Sequence, residues 1–113
     1  MQIQVSQQKD VVIVAFSGRL DAITASDCEK AIDEIIAKGT LLLVIDLKDT
    51  DYVSSAGLRV ILKGAKSLYG TGKLALARPQ ESVKEVLEMT GFGEIMPIYD
   101  SLEEALADLS KPL

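Results

Sequence analysis

The chain has 113 residues, 48% hydrophobic and 26% charged, with a formal net charge of −5, one cysteine and no histidine. That length suits one domain that buries a core without disulfides or metal, and the acidic balance excludes a broad nucleic-acid backbone footprint. The lack of histidine excludes Ser-His-Asp and Cys-His catalysis and most zinc sites. A lone Cys28 can form no internal disulfide, and the first residues lack the basic and apolar regions of a signal peptide, so a reducing, cytoplasmic setting is expected. No apolar run approaches the roughly 20 residues that span a bilayer, so no membrane insertion is expected.

Ile3 and Val5 alternate with polar neighbours and predict a half-exposed edge strand. Gln7-Gln8-Lys9-Asp10 is a polar turn, and residues 11–16 form a second strand that pairs with the first as a hairpin. Ser17-Gly18-Arg19-Leu20-Asp21 follows as a loop. Asp21 lies past that strand and before a helix, where it is either a solvated or capping carboxylate or a site residue at the sheet end. Thr24 is placed to cap that helix, with Asp27 in a capping-box variant. Ala25, Cys28, Ala31, Ile32, Ile35 and Ile36 form its buried stripe, and Gly39 closes it in a left-handed conformation. Cys28 on that stripe reads as a small core residue and not as a reactive thiol.

Leu41-Leu42-Leu43-Val44-Ile45, ending in Asp46, is an unbroken apolar run, the pattern of a strand covered on both faces in a parallel sheet. A polar turn follows, and its Asp49 and Asp51, together with Asp46, read as solvated acids and not as a magnesium site. Helical spacing then begins at Leu58, Ile61, Leu62, Ala65 and Leu68. Ser54-Ser55-Ala56-Gly57 joins strand to helix and sets a serine beside the first free N–H groups of a helix. On local chemistry Ser55 is either the helix N-cap or a phosphoacceptor. Gly57 costs about 1 kcal/mol in the first turn relative to alanine, which close backbone approach would explain.

Gly70-Thr71-Gly72 breaks the chain before a strand over 73–77, and it has neither the spacing of a phosphate loop nor a following helix. Pro79 enters a short helix with Val83, Val86 and Leu87 inward, stopped by Gly91. Met96-Pro97-Ile98 is a brief edge strand; Ser101 and Glu104 form a capping box, and Leu102, Ala105, Leu106 and Leu109 face inward until Pro112 ends the order. The order β-β-α-β-α-β-α-β-α predicts an α/β fold with a mixed, mostly parallel sheet flanked by four helices. Function in such sheets gathers at the carboxyl ends of strands, which allows Asp21 and Ser55 to share one face.

Gly18-Arg19-Leu20-Asp21 resembles the G-x-L-D loop of STAS domains, the family of bacterial anti-sigma factor antagonists. Ile45-Asp46-Leu47, then Tyr52-Val53-Ser54-Ser55-Ala56-Gly57-Leu58-Arg59-Val60-Ile61-Leu62, looks like that family's central strand, phosphoserine turn and second helix. Gly72-Lys73-Leu74 and Thr90-Gly91-Phe92 are similar to its later signature, so the resemblance covers most of the chain. It implies a single STAS domain over residues 1–113, with no enzymatic activity and no cofactor, since ATP would belong to a partner. The implied partners are an anti-sigma factor serine/threonine kinase and a phosphoserine phosphatase, with no direct contact to nucleic acid. Carried over, Ser55 is the phosphoacceptor, and Asp21, Ser54, Ser55, Gly57, Leu58 and Arg59 bind the partner. Many members have Asp where this chain has Ser54 and Ser where it has Ala56, which makes Ser54 the competing acceptor. The alternative is a constitutive STAS subunit of a transport complex, in which Ser55 is chiefly a cap. A serine enzyme with Lys63 or Lys73 as base has nothing in the sequence to support it.

Overall fold

A computed structural model describes residues 1–111; Pro112, expected to end the ordered chain, lies outside them. The strands are β1 (Gln2–Gln8), β2 (Val11–Leu20), β3 (Leu42–Asp46), β4 (Thr50–Val53), β5 (Lys73–Ala77) and β6 (Ile98–Tyr99). The helices are α1 (Ala25–Ala37), α2 (Ser55–Leu68), α3 (Glu81–Met89) and α4 (Leu102–Leu109), with a 3-10 turn at Phe92–Glu94 before β6. The sheet runs β1-β2-β3-β5-β6, with β4 paired to β2 off that path. Only β1 and β2 are antiparallel; every other pair is parallel, as the alternation of strands and helices requires.

The hairpin turn is tighter than the sequence suggests. Gln7 and Gln8 stay in the ladder opposite Val12 and Val11, leaving only Lys9-Asp10 as the turn, with Lys9 at φ +55°. One sheet face carries Val14, Phe16, Leu43, Ile45 and Leu76 under α1, α2 and α3, with Cys28, Ile32, Ile61 and Leu87 packed inward. On the other face, Val11, Ile13, Val44 and Ala75 pack against Ala105 and Leu109 of α4. Burial on both faces explains the apolar run of β3.

Several boundaries differ from expectation. The segment read as a loop after Phe16 is the continuation of β2, which bends at Gly18 (φ +108°) and shifts register between Gly18 and Arg19. The polar turn after Asp46 contains a strand, β4, that the acidic spacing conceals. On α2 the fully buried residues are Gly57, Val60, Ile61, Gly64 and Leu68, while Leu58, Leu62 and Ala65 are half-buried, so the inward face is turned from the expected stripe. Gln80, not Pro79, precedes α3, and β6 begins at Ile98 behind a buried Met96. Gly39 does adopt the expected left-handed φ, +94°, after α1.

Candidate functional site

The C-terminal half of β2 and all of β4 build one end of the molecule. Thr50 is fully buried, and its hydroxyl donates to the Phe16 carbonyl at 2.6 Å. The Gly18 N–H donates to the Asp49 carbonyl at 2.9 Å, spanning the bend in β2. These bonds hold β4 beside β2 with Arg19 opposite Tyr52 and Leu20 opposite Val53. The ladder closes where the Ser54 N–H donates to the Leu20 carbonyl at 2.9 Å. Asp21 and Ser55 are the next residues on the two segments, so the structure brings them to the same end.

The two serines divide their roles, and the cap is not the one expected. Ser54 is the N-cap of α2, with its side chain accepting from the Gly57 N–H at 3.4 Å. Ser55 occupies the first helical position, exposed, with its hydroxyl free of cap duty. Gly57 is buried, and a Cβ there would stand 2.7 Å from both Cγ and the carbonyl oxygen of Leu20. It therefore shapes the site by letting α2 approach β2. Leu58 is half-buried and Arg59 exposed, on the first turn beside Ser55.

Asp21 is held by its own loop. Its Oδ1 accepts from the backbone N–H groups of Ile23 at 3.0 Å and Thr24 at 3.3 Å. The Thr24 hydroxyl accepts from the Asp21 N–H at 3.0 Å and donates to the Arg19 carbonyl at 2.6 Å. Thr24 thus gives no side-chain cap to α1, and the capping box expected with Asp27 does not form, because the hydroxyl is spent on the loop. Arg19 Nε lies 3.3 Å from Asp21 Oδ2, and its guanidinium stacks 4.2 Å from the centre of the Tyr52 ring. Desolvation raises the Asp21 pKa, but the bonds from Ile23, Thr24 and Arg19 outweigh it and hold the carboxyl below the usual aspartate value.

Two residues of this end were missed by sequence reasoning: Ile23 is 88% exposed at the tip of the Asp21 loop, and Tyr52 is 42% exposed on β4. A bare isoleucine in a polar loop was the available signal for the first; the second required recognising β4.

Of the three acids expected to be solvated, Asp49 and Asp51 are exposed but Asp46 is not, because it ends the buried strand β3 and has an ionic partner. Asp46 is buried and paired with Arg78, whose Nη2 is 2.5 Å and Nε 3.2 Å from its carboxylate oxygens. Among the described residues, no group of three potential ligands could hold a metal ion. Lys63 lies 3.2 Å from Glu29 and 3.7 Å from Asp33 on α1, and these bonds raise its pKa. A general base for Ser55 would need the reverse. A groove of about 1130 Å³ sits at the opposite end of the sheet, lined in part by Lys38, Gly39, Thr40 and the Gly70-Thr71-Gly72-Lys73 turn. The ends of α1, α2 and α4 gather there. Helix C-termini disfavour anions, which agrees with setting aside a phosphate loop.

A family model for the STAS domain matches residues 2–105. An anti-sigma F factor antagonist of Paenibacillus polymyxa is 34% identical over 111 residues, covering 96% of this chain and 95% of its own. BtrV of Bordetella bronchiseptica, provisionally described as an anti-sigma factor antagonist, is 35% identical over 108 residues, covering 95% and 93%. The crystal structure of an anti-sigma factor antagonist from Mycobacterium paratuberculosis superposes with a TM-score of 0.92 at 25% identity, covering 97% of this chain and 94% of that one.

Proposed function

The chain belongs to the STAS domain family, and from that premise we propose that it is an anti-sigma factor antagonist switched by phosphorylation of Ser55. Unphosphorylated, it binds an anti-sigma factor serine/threonine kinase through the Asp21–Ser55 end and so releases sigma factor. Phosphorylation abolishes that binding, and a phosphoserine phosphatase restores it. In this reading residues 1–113 act as a single STAS domain in the cytoplasm, with no catalysis or cofactor of their own. Asp21, Ser54, Ser55, Leu58 and Arg59 form the docking face, shaped by Gly57, and Ile23 and Tyr52 add exposed apolar contacts.

The observation that carries this reading is the split between the serines. Ser54 caps α2, so Ser55 presents a free, exposed hydroxyl at the first helical position beside Asp21. A phosphate there would add a charge of about −1.5 to −2 where free N–H groups and the helix dipole receive anions. The fold tolerates it. A docked partner would meet that charge beside Asp21, Asp49 and Asp51.

The test is peptide mass spectrometry on protein recovered from its native cells, with a pull-down by unmodified chain without ATP. The expected result is phosphate on Ser55 and a serine kinase that the phosphorylated chain no longer retains. Phosphate on Ser54 would move the acceptor by one residue. No phosphate in any growth state, with a transporter in the pull-down, would replace the proposal with a constitutive subunit.

A further inference from the structure

Strand β1 is the open edge of the sheet, with no strand beyond it among the described residues. An open edge presents a row of unpaired N–H and C=O groups that template a further strand, and proteins commonly guard it with lysine, proline, a bulge or short length. β1 has none of these. Gln2-Ile3-Gln4-Val5-Ser6-Gln7-Gln8 carries no charge and no proline, and its seven pairs with β2 run without a register shift. In a chain that is 26% charged with a net charge of −5, this neutral strip lets two copies approach without like charges facing. All of it except Ile3 is exposed, with Val5 at 56%.

We propose that β1 is a self-association surface: it pairs antiparallel with β1 of a second copy about a two-fold axis at Val5. The strand is self-complementary in that register. Its pairs with Phe16 and Val14 put Ile3 and Val5 on the α1–α2 face of the sheet. Its pairs with Ala15 and Ile13 put Gln4 and Ser6 on the α4 face. The axis sets Val5 against Val5, Ile3 against Gln7, Gln4 against Ser6 and Gln2 against Gln8. No charge is buried, and amides meet amides and hydroxyls across the seam. An uncharged extended strand is the chemistry that this edge accepts, and the chain itself supplies one. Because the two-fold axis reverses every strand between the copies, the Ser55 ends, at the carboxyl end of β2, point away from each other, leaving two docking faces on one particle. That last consequence rests on the proposed function; the self-association does not.

The experiment is sedimentation of the full chain over roughly 10–1000 µM, a range suited to a small interface. The wild-type mass should rise from 12.2 kDa toward twice that value, while Val5→Lys stays at one chain mass. Val5 is more than half exposed, so Val5→Lys should keep its thermal unfolding midpoint. Under mild oxidation Val5→Cys should cross-link to itself, since directly opposed residues sit about 4.5–5.5 Å apart. Gln7→Cys, opposite Ile3 in this register, should not. A wild-type chain that stays monomeric throughout, Val5→Lys associating like wild type, or Gln7→Cys cross-linking as readily as Val5→Cys would each overturn the proposal.

Discussion

Ser54 and Ser55 are neighbours with the same side chain, yet the structure makes opposite demands on them. Ser54→Ala removes the cap of α2, and its 3.4 Å contact places the loss toward the low end of the usual ~0.5–2 kcal/mol. Ser55→Ala removes no cap and should stay within about 0.5 kcal/mol of wild type. Urea midpoints check both, and phosphate incorporation should sort them the other way round, lost in Ser55→Ala and kept in Ser54→Ala. A larger stability loss in Ser55→Ala would make that serine the cap after all. Gly57→Ala should destabilise by roughly 1–3 kcal/mol despite the better helix former, because the added Cβ meets the fixed Leu20 carbonyl. Asp21 supplies a pH signature. Its folded pKa lies below the ordinary aspartate value, so its contribution is full above that ordinary value and is lost as pH falls through the folded one. Asp21→Asn should therefore flatten part of the acid limb of the stability curve while its amide oxygen can still accept from Ile23 and Thr24.

At the scale of elements, the site depends on β4, the strand that sequence reasoning missed. Four residues with two polar members give no clear alternation, and Asp49 and Asp51 read as turn acids. Tertiary pairing makes this a strand: the backbone ladder with β2 and the bond from the Thr50 hydroxyl to the Phe16 carbonyl. Thr50→Val, nearly isosteric, should cost about 1–3 kcal/mol by taking the donor from a buried carbonyl. If β4 positions the serine turn as described, amide exchange should speed up at Ser54 as well as within β4. Unchanged protection at Ser54 would separate the two. The extension of β2 was hidden for a related reason, since Gly18 and Arg19 look like loop residues until the bend gives them a partner. By contrast, the core strands, four helices, the Gly39 stop and the Ser101 cap were legible, because apolar period and turn chemistry decide them locally. At α4, the Ser101 hydroxyl accepts from the Glu104 N–H at 3.1 Å, as expected. What the sequence could not reveal there is the setting of Tyr99, where desolvation, and then the tie from its hydroxyl to Asp108, push the tyrosine up to about 12. Unfolded tyrosine ionises near 10, so this contribution is full below pH ~10 and fades toward pH ~12. Tyr99→Phe should remove that alkaline slope in a stability titration.

For the whole molecule, the question is whether one modification on a surface of net charge −5 can release a partner. Moving a partner from almost fully bound to almost fully free takes about 5.5 kcal/mol, or roughly 10⁴-fold in affinity. A single exposed charge contributes about 0–1 kcal/mol. Charge alone on a wet surface therefore falls short, and the proposed switch would require Ser55 to lie inside a dehydrated contact, where a phosphate must be desolvated or excluded. The surroundings fit that requirement, since Ile23 and Tyr52 supply exposed apolar area beside Asp21 and the Arg19 stack. Ser55→Asp separates the two accounts, because it adds one charge without the volume or the three phosphate oxygens. Measured against the kinase retained in the pull-down, Ser55→Asp should weaken binding about tenfold or less, and rising salt should shrink that effect. True phosphorylation should weaken it by at least about 10³-fold with little salt dependence, because buried charges are poorly screened. Equal effects from aspartate and phosphate, both erased by salt, would mean that Ser55 stays in water when the partner docks and that the switch acts through long-range repulsion.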